Sequence, residues 1–433
     1  MRRICNAVRL ASLLSILLCV AAAAPLSPPR EQPKLRGAHI DAAMLAARKF
    51  LAEQQAVDGA WRSDVYSPFR GGDALTPLVL TSLLASDKPL PLDGTVGGNT
   101  AVDRATAYLL DFVQPNGRLA PPTGGFAYSI YTAADSVIAL SELARRKSTN
   151  ESLNDTLSKA RNAWLAYLLE RQLTEPLGWT PSDAQYGGWG YAGMLPHKPN
   201  QGETLASLAE PNLSATVYAL TAVRAAGLQA DHPAVKNGLA FARRLQDFLE
   251  IKDDTAPEPT VDDRGGFHFI LNDAVRNKAG VAPSMDDRTV RFRSYGSATA
   301  DGLRALLLAG EPSDSPRSRA AWIWLEHHFS ATSHPGDYAK DREAARDSFY
   351  FYYCRSLTAA LNLAGPVSLP HEAHPRDWAE SIAEALIVRQ RSDGSWSNLA
   401  VDGREDDPIV ATSFALEALA NCRRYLRTVS AQP

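Results

Sequence analysis

The chain has 433 residues, with 45 Lys and Arg against 48 Asp and Glu and a formal charge of −3. So mildly acidic a balance argues against a nucleic-acid partner, which requires a basic patch. The length is enough for two or three ordinary domains, but an internal repeat overrides that prior.

The N-terminus, residues 1–24, reads MRRICNAVRLASLLSILLCVAAAA and places Arg2, Arg3 and Arg9 ahead of an apolar run that ends in small residues. This is the pattern of a secretory signal peptide, and the run falls short of the roughly 20 residues that span a bilayer. Bulky Leu18 ahead of Cys19 argues against a lipoprotein. Processing takes Cys5, Cys19 and three positive charges with it, so the formal charge moves from −3 to −6. The mature protein is therefore expected to be secreted or periplasmic, and an oxidising compartment lets Cys354 and Cys422 pair if their geometry permits. Residues 25–39 read as a Pro-rich linker, 40–426 as a single domain and 427–433 as a tail.

Six copies of one unit follow in chain order. Each has an Ala-rich helical pattern, a Gly-rich and aromatic turn, and a second helix that is apolar on two sides. The first is AAMLAARKFLAEQQAVDGAW with ALTPLVLTSLLAS, and the second DRATAYLLDFVQPNGRLA with YTAADSVIALSELA. The third pairs SKARNAWLAYLLERQ with LSATVYALTAVRAAG through QYGGWGYAG, and the fourth HPAVKNGLAFARRLQDF with SYGSATADGLRALLLAG through RGGFHF. SRAAWIWLEHHF with YFYYCRSLTAALNLAG is the fifth, and DWAESIAEALIVRQRSDGSW with DDPIVATSFALEALANC the sixth. Asp231 with Pro233, and Asp407 with Pro408, read as N-caps with early-turn prolines, while Gly310 and Gly365 close their helices. An acidic, Pro-containing insertion, EIKDDTAPEPTVDDRGG, interrupts the fourth unit.

Gapless alignment of the second helices puts Thr76, Ala133, Thr216, Thr299, Cys354 and Thr412 at one position, at the head of a packed stripe. Two residues later the helices differ, reading Leu78, Asp135, Tyr218, Asp301, Ser356 and Phe414. One turn further on come Thr81, Ile138, Thr221, Arg304, Ala359 and Glu417, and about one turn earlier Ala74, Tyr131, Ser214, Ser297, Tyr352 and Val410. A helix with one packed face and one face mixing Tyr, Phe, Asp and Arg borders a partly wet cavity, which a closed inner ring supplies.

The turns carry a motif. Gln55, Gly59 and Trp61 share the spacing Gln-x-x-x-Gly-x-Trp with Gln390, Gly394 and Trp396, while Gln114–Gly117, Gly188–Trp189 and Gly266–Phe267 depart from it. Gly59 and Gly394 suit tight turns, and Trp61 and Trp396 suit closure of a seam between hairpins. Six such hairpins resemble the squalene–hopene cyclase and protein prenyltransferase superfamily, closest to secreted bacterial members without an assigned reaction. The resemblance implies an all-α fold, an α/α toroid of the α6/α6 type built from six helical hairpins. It also implies an apolar, isoprenoid-like ligand in a central cavity, with terpene-cyclase (isomerase) chemistry if the protein is an enzyme.

The catalytic signatures of those relatives are missing. No Asp-x-Asp-Asp-Thr-Ala string occurs; Asp286–Asp287 read as a solvated loop and Asp406–Asp407 lie at a helix start. Against the prenyltransferase zinc site, Cys354 has Tyr352 where an Asp is needed and no His follows it in its helix. His327 and His328 are adjacent on an outer helix, and His334, His371 and His374 lie in loops, so no metal and no cofactor are expected. No phosphate loop or nucleophile elbow is present. The best carboxylate pair is Asp135 with Asp301, equivalent positions on two inner helices and candidate general acids if desolvation raises their pKa. Tyr131, Tyr218, Arg304, Tyr352, Phe414 and Glu417 are the candidate ligand-binding side chains, the aromatics offering π faces to an apolar ligand or a carbocation. Arg304, one turn after Asp301, offers the alternative of an ion pair, and Asp135 the alternative of capping a neighbouring turn. Two other functions fit the same features: a non-catalytic toroid that binds another envelope protein, with peripheral membrane contact, and a carbohydrate-active α/α barrel.

Overall fold

The computed structural model describes residues 37–85, 100–146, 151–248, 264–282, 290–365 and 377–430. Asp286, Asp287, His371, His374, the leader and most of the acidic insertion lie outside them. Twelve α-helices are present among the described residues: α1 (Gly37–Glu53), α2 (Leu75–Leu84), α3 (Ala101–Leu110), α4 (Ser129–Arg145), α5 (Glu151–Leu169) and α6 (Leu213–Ala225), followed by α7 (Pro233–Arg244), α8 (Gly296–Leu308), α9 (Pro316–His327), α10 (Tyr350–Ala364), α11 (Asp377–Arg389) and α12 (Pro408–Ser430). The helical region thus starts before residue 40, and α12 runs past residue 426 into the expected tail. A two-residue antiparallel ladder, β1 (Val281–Ala282) with β2 (Arg291–Phe292), precedes α8. No described helix is long and apolar enough to cross a membrane.

Each even-numbered helix packs on the next, α2 on α4, α4 on α6 and onward to α12, and α12 returns to pack on α2. That closes an inner ring, and the odd-numbered helices lie outside it, making the α/α toroid. Burial follows the same division. All of α2 is buried, whereas α7 buries only the stripe of Ala234, Val235, Gly238, Phe241 and Ala242. Helix starts are capped by short polar side chains: Thr100 and Asp103 form a capping box on α3, Asn212 caps α6 and Ser315 caps α9. Asp407 Oδ1 accepts from the Ile409 amide (2.9 Å) at the start of α12. On α7 the cap is His232, whose Nδ1 accepts from the Ala234 amide (3.2 Å), and not Asp231. Pro233 sits at the first helical position, which leaves the preceding residue in the extended conformation that a cap needs.

The turn motif joins one hairpin to the next. Gln55 Nε2 donates to Gly59 O (2.9 Å) within its own turn and to Ala101 O (2.8 Å) at the start of α3. Gln390 does the same with Gly394 O and Ala43 O, both at 2.9 Å, and so ties the sixth hairpin to the first. Glycine is required because φ is +88° and +89° and because a Cβ would meet the next outer helix, 2.3 Å from Arg104 O and 2.4 Å from Ala46 O. The tryptophan indoles hydrogen-bond within their own hairpins. Trp61 Nε1 donates back to Leu51 O (2.6 Å) and Trp396 Nε1 to Leu386 O (2.8 Å), each on its own outer helix. Their backbone amides donate to Thr76 and Thr412, the threonines that head the packed stripe.

Two further turns use the same contacts with long insertions inside them. Gln172 donates to Gly187 O (2.8 Å) and Ala234 O (2.9 Å), and Gln246 to Gly265 O (3.1 Å) and Arg317 O (2.9 Å). The working glycines are therefore Gly187 and Gly265, not Gly188 and Gly266. Trp189 and Phe267 take the aromatic place, and their amides donate to Thr216 and Thr299. Gln114–Gly117 forms only a local turn: a Cβ on Gly117 would meet open space.

At the joint between the second and third hairpins an aromatic cluster stands in place of the motif, with Phe126 and Trp164 ring centroids 4.8 Å apart and Phe112 6.0 Å from Trp164. At the joint between the fifth and sixth, buried Glu405 accepts from the Phe351 (3.0 Å) and Tyr352 (2.7 Å) amides at the start of α10. Arg389 Nη2 donates to Thr332 O (2.8 Å) across the same joint.

Candidate active site in the central chamber

The residues that break the inner-helix pattern converge on the ring axis. Asp301 of α8 is fully engaged. Its Oδ2 accepts from Tyr352 Oη (2.6 Å), and its Oδ1 accepts from Ser356 Oγ (2.6 Å) and from Arg304 Nη1 (3.2 Å). Arg304 also reaches Thr221 Oγ1 (3.3 Å), and Tyr352 Oη lies 2.6 Å from Ser214 Oγ. The i,i+3 ion pair expected for Asp301 and Arg304 is therefore present, 2% and 5% exposed at the side chains, in a network of α6, α8 and α10.

Asp135 of α4 stands differently. It is 2% exposed, and its Oδ1 has no hydrogen-bond partner among the described residues. Its backbone carbonyl accepts from Thr81 Oγ1 (3.2 Å), but Oδ1 caps no turn. Burial pushes the Asp135 carboxyl up to about 7, Glu417 pushing the same way and Arg355 and Arg304 pulling against it. Asp301 is also raised by burial, with Arg304, Ser356 and Tyr352 opposing.

Sequence reasoning missed Arg355. It lies next to aligned Ser356, and its signal was a single arginine inside the apolar run YFYYCRSLTAAL. Arg355 Nε donates to Glu417 Oε2 of α12 (2.7 Å), and its guanidinium lies 4.5 Å from the Tyr218 ring centroid and 5.7 Å from that of Phe414. Tyr218 and Phe414 thus each lie beside an internal cation. Arg355 is held charged, well above its ordinary value, the cost of burial being outweighed by Glu417, Tyr218 and Asp135. Across the chamber three carboxyls, Asp135, Asp301 and Glu417, face two guanidiniums, Arg304 and Arg355. Asp301 and Glu417 each have an ion pair, so Asp135 is the odd carboxyl.

Tyr131 stacks on Tyr191 (5.5 Å) and meets Tyr218 edge to face (4.6 Å). Tyr191, from the turn before α6, was not evident in the sequence. Tyr131, Tyr191 and Tyr352 are partly buried, and burial raises all three phenols, Tyr191 to about 12. Above the chamber, at the starts of the inner helices, Tyr128 and Arg404 hold left-handed backbones (φ +46° and +60°). Arg404 lies 4.1 Å from the Tyr66 ring centroid, and Tyr66 Oη donates to Asp406 (2.6 Å). Strained non-glycine residues of this kind gather at functional sites.

A cavity of about 330 Å³ lies between the first and second hairpins, lined by Asp58, Gly71, Asp73, Tyr108, Asp111, Phe112 and Pro122; no chamber residue borders it. Cys354 and Cys422 are buried and unpaired, and burial pushes the Cys354 thiol up to about 12. His334 lies in a loop but is buried, with Nε2 accepting from the Ser297 amide (2.9 Å) at the start of α8. Among the described residues no group of three His, Cys, Asp or Glu side chains is arranged to hold a metal ion.

The fold is similar to that of a type II terpene cyclase from Scytonema in complex with its substrate, geranylgeranyl dihydroxybenzoate (TM-score 0.50, 15% identity, covering 90% of this chain and 99% of that one). It is also similar to an α-mannanase from Bacteroides thetaiotaomicron (TM-score 0.51, 10% identity, 90% and 97% covered) and to a D-mannose isomerase (TM-score 0.54, 11% identity, 90% and 97% covered). No protein-family model and no curated protein matches the chain. Identities this low establish the α/α toroid and leave the chemistry to the chamber's own residues.

Proposed function

We propose that this is a secreted toroid protein that takes a small isoprenoid-like molecule into its central chamber and protonates it with Asp135, an isomerase-type reaction. The carrying observation is the isolation of Asp135: a buried carboxyl with an unpartnered oxygen, left over when its two neighbours pair with two arginines. Placed against a terminal alkene, the Asp135 O–H bond breaks as a C–H bond forms, and the adjacent carbon takes the positive charge. Ring closure moves that charge along the chain, and loss of a proton to the Asp135 carboxylate restores the acid. No oxidant or cofactor enters the balance. Tyr131 and Tyr352, which are only partly buried, flank the path of the cation. Asp301 is a positioning group, because its oxygens are occupied by Tyr352, Ser356 and Arg304.

The test is incubation with linear isoprenoids of graded length, scored by mass spectrometry for products of unchanged mass. Asp135→Asn is expected to lower turnover by roughly 10²–10⁴-fold with an unchanged or higher melting temperature. Turnover that survives this substitution would sink the assignment of the acid. Binding without turnover in the wild type would make the protein a carrier, and an absence of both thermal shift and extractable lipid would remove the isoprenoid reading.

A further inference from the structure

Among the described residues, four polar atoms in the chamber are without a hydrogen-bond partner: Asp135 Oδ1, Arg304 Nε, Arg355 Nη1 and Glu417 Oε1. Their residues are 2%, 4%, 4% and 9% exposed. Three of the four residues belong to one cluster. Arg355 and Glu417 are paired at 2.7 Å, and both act electrostatically on Asp135. Two of the atoms are donors that cannot accept, and Glu417 Oε1 is an acceptor that cannot donate.

All four atoms already lie out of reach of solvent, and a pure hydrocarbon would supply none of the hydrogen bonds they lack. An anionic head would meet three carboxyls with both arginines already in ion pairs. An ammonium head would suit the carboxyl oxygens, but it would leave both arginine donors unmet beside like charge. A hydroxyl accepts from one side and donates to the other, which is what the mixed set requires.

We propose that the chamber's ligand carries a neutral hydroxylated head, with one hydroxyl accepting from Arg355 Nη1 while donating to Glu417 Oε1. A second hydroxyl on the same head reaches Asp135 or Arg304. This deepens the function proposed above and rests on its reading of the chamber as the ligand site.

Isothermal titration of the full chain with farnesene, with the terminal vicinal diol of farnesene and with mannitol tests the head and the body separately. The diol is expected to bind at least about tenfold more tightly than farnesene, as a site built to hydrogen-bond a hydroxyl rejects the analogue lacking it. Glu417→Gln should cut that preference to about threefold or less, read as the ratio of the two affinities measured on the variant itself. Should the variant unfold, the wild-type ratio alone decides. Equal affinity for farnesene and its diol overturns the hydroxylated head and leaves the isoprenoid reading in place. Mannitol binding with neither isoprenoid bound supports the head and overturns the isoprenoid body. Failure of all three to bind overturns both.

Discussion

Four joints of the ring, from the sixth hairpin to the first, first to second, third to fourth and fourth to fifth, share one device: a glutamine bonded to carbonyls on both sides and a left-handed glycine pressed against the next outer helix. Two joints, second to third and fifth to sixth, lack it among the described residues and use an aromatic cluster and a buried glutamate instead. In a ring of six these two stand opposite each other, so the toroid is two stapled arcs of three hairpins joined by unlike seams. The difference teaches what repetition costs. A staple made of backbone carbonyls accommodates the long insertions after Gln172 and Gln246, since neither contact depends on the residues between. A seam made of side chains is specific to its place and must be solved anew.

The largest test of the comparison is Trp189→Ala. It removes a fully buried ring and its bond to Leu168 O (2.9 Å), with an expected loss of roughly 3–5 kcal/mol in urea denaturation. Next comes Gly187→Ala, where φ is +88° and a Cβ would sit 2.1 Å from Asn237 O. It should cost at least about 2 kcal/mol, whereas Gly117→Ala, at φ +78° in open space, should cost about 1–2 kcal/mol from the left-handed backbone alone. Equal losses at the two glycines would show that the contact with the neighbouring helix adds nothing. Gln172→Leu leaves two carbonyls without their donor and is expected to cost roughly 1–3 kcal/mol, against no measurable change for Gln114→Leu.

The effect that distinguishes the two seams is a pH dependence. Burial pushes Glu405 up to about 8 from an ordinary 4.5, against the pull of the Tyr352 and Phe351 amides. A raised carboxyl favours the protonated folded state. Its stabilising contribution is therefore complete below pH 4.5 and is lost as pH rises toward 8. Glu405→Gln should flatten the melting temperature across that window, and an unchanged slope would break the link between this seam and its glutamate.

Much of this architecture was legible in the sequence because both of its periods are short. The hairpins repeat, Gln55–Gly59–Trp61 and Gln390–Gly394–Trp396 keep their spacing, and the helix alignment brought Asp135, Asp301, Arg304, Tyr131, Tyr218, Tyr352, Phe414 and Glu417 to one axis. What hid was displaced by insertion or by one position. Gln172 and Gln246 lie 15 and 19 residues from the glycine oxygens they bond, too far for any spacing rule. Arg355 sits one residue from the aligned face, and only its long side chain carries it to Glu417. Which arginine would claim which carboxyl depends on reach across the ring. That is why Asp135 and Asp301 looked alike in sequence and differ in the chamber.

The bond from Gln390 to Ala43 spans 347 residues of chain. At ordinary rates of synthesis that separation is on the order of tens of seconds, during which the first hairpin exists without its last neighbour. Until then the growing arc exposes the apolar flank of α2 that α12 will cover. The ring therefore closes late, and a chaperone that shields this flank during synthesis should raise the yield of closed toroid.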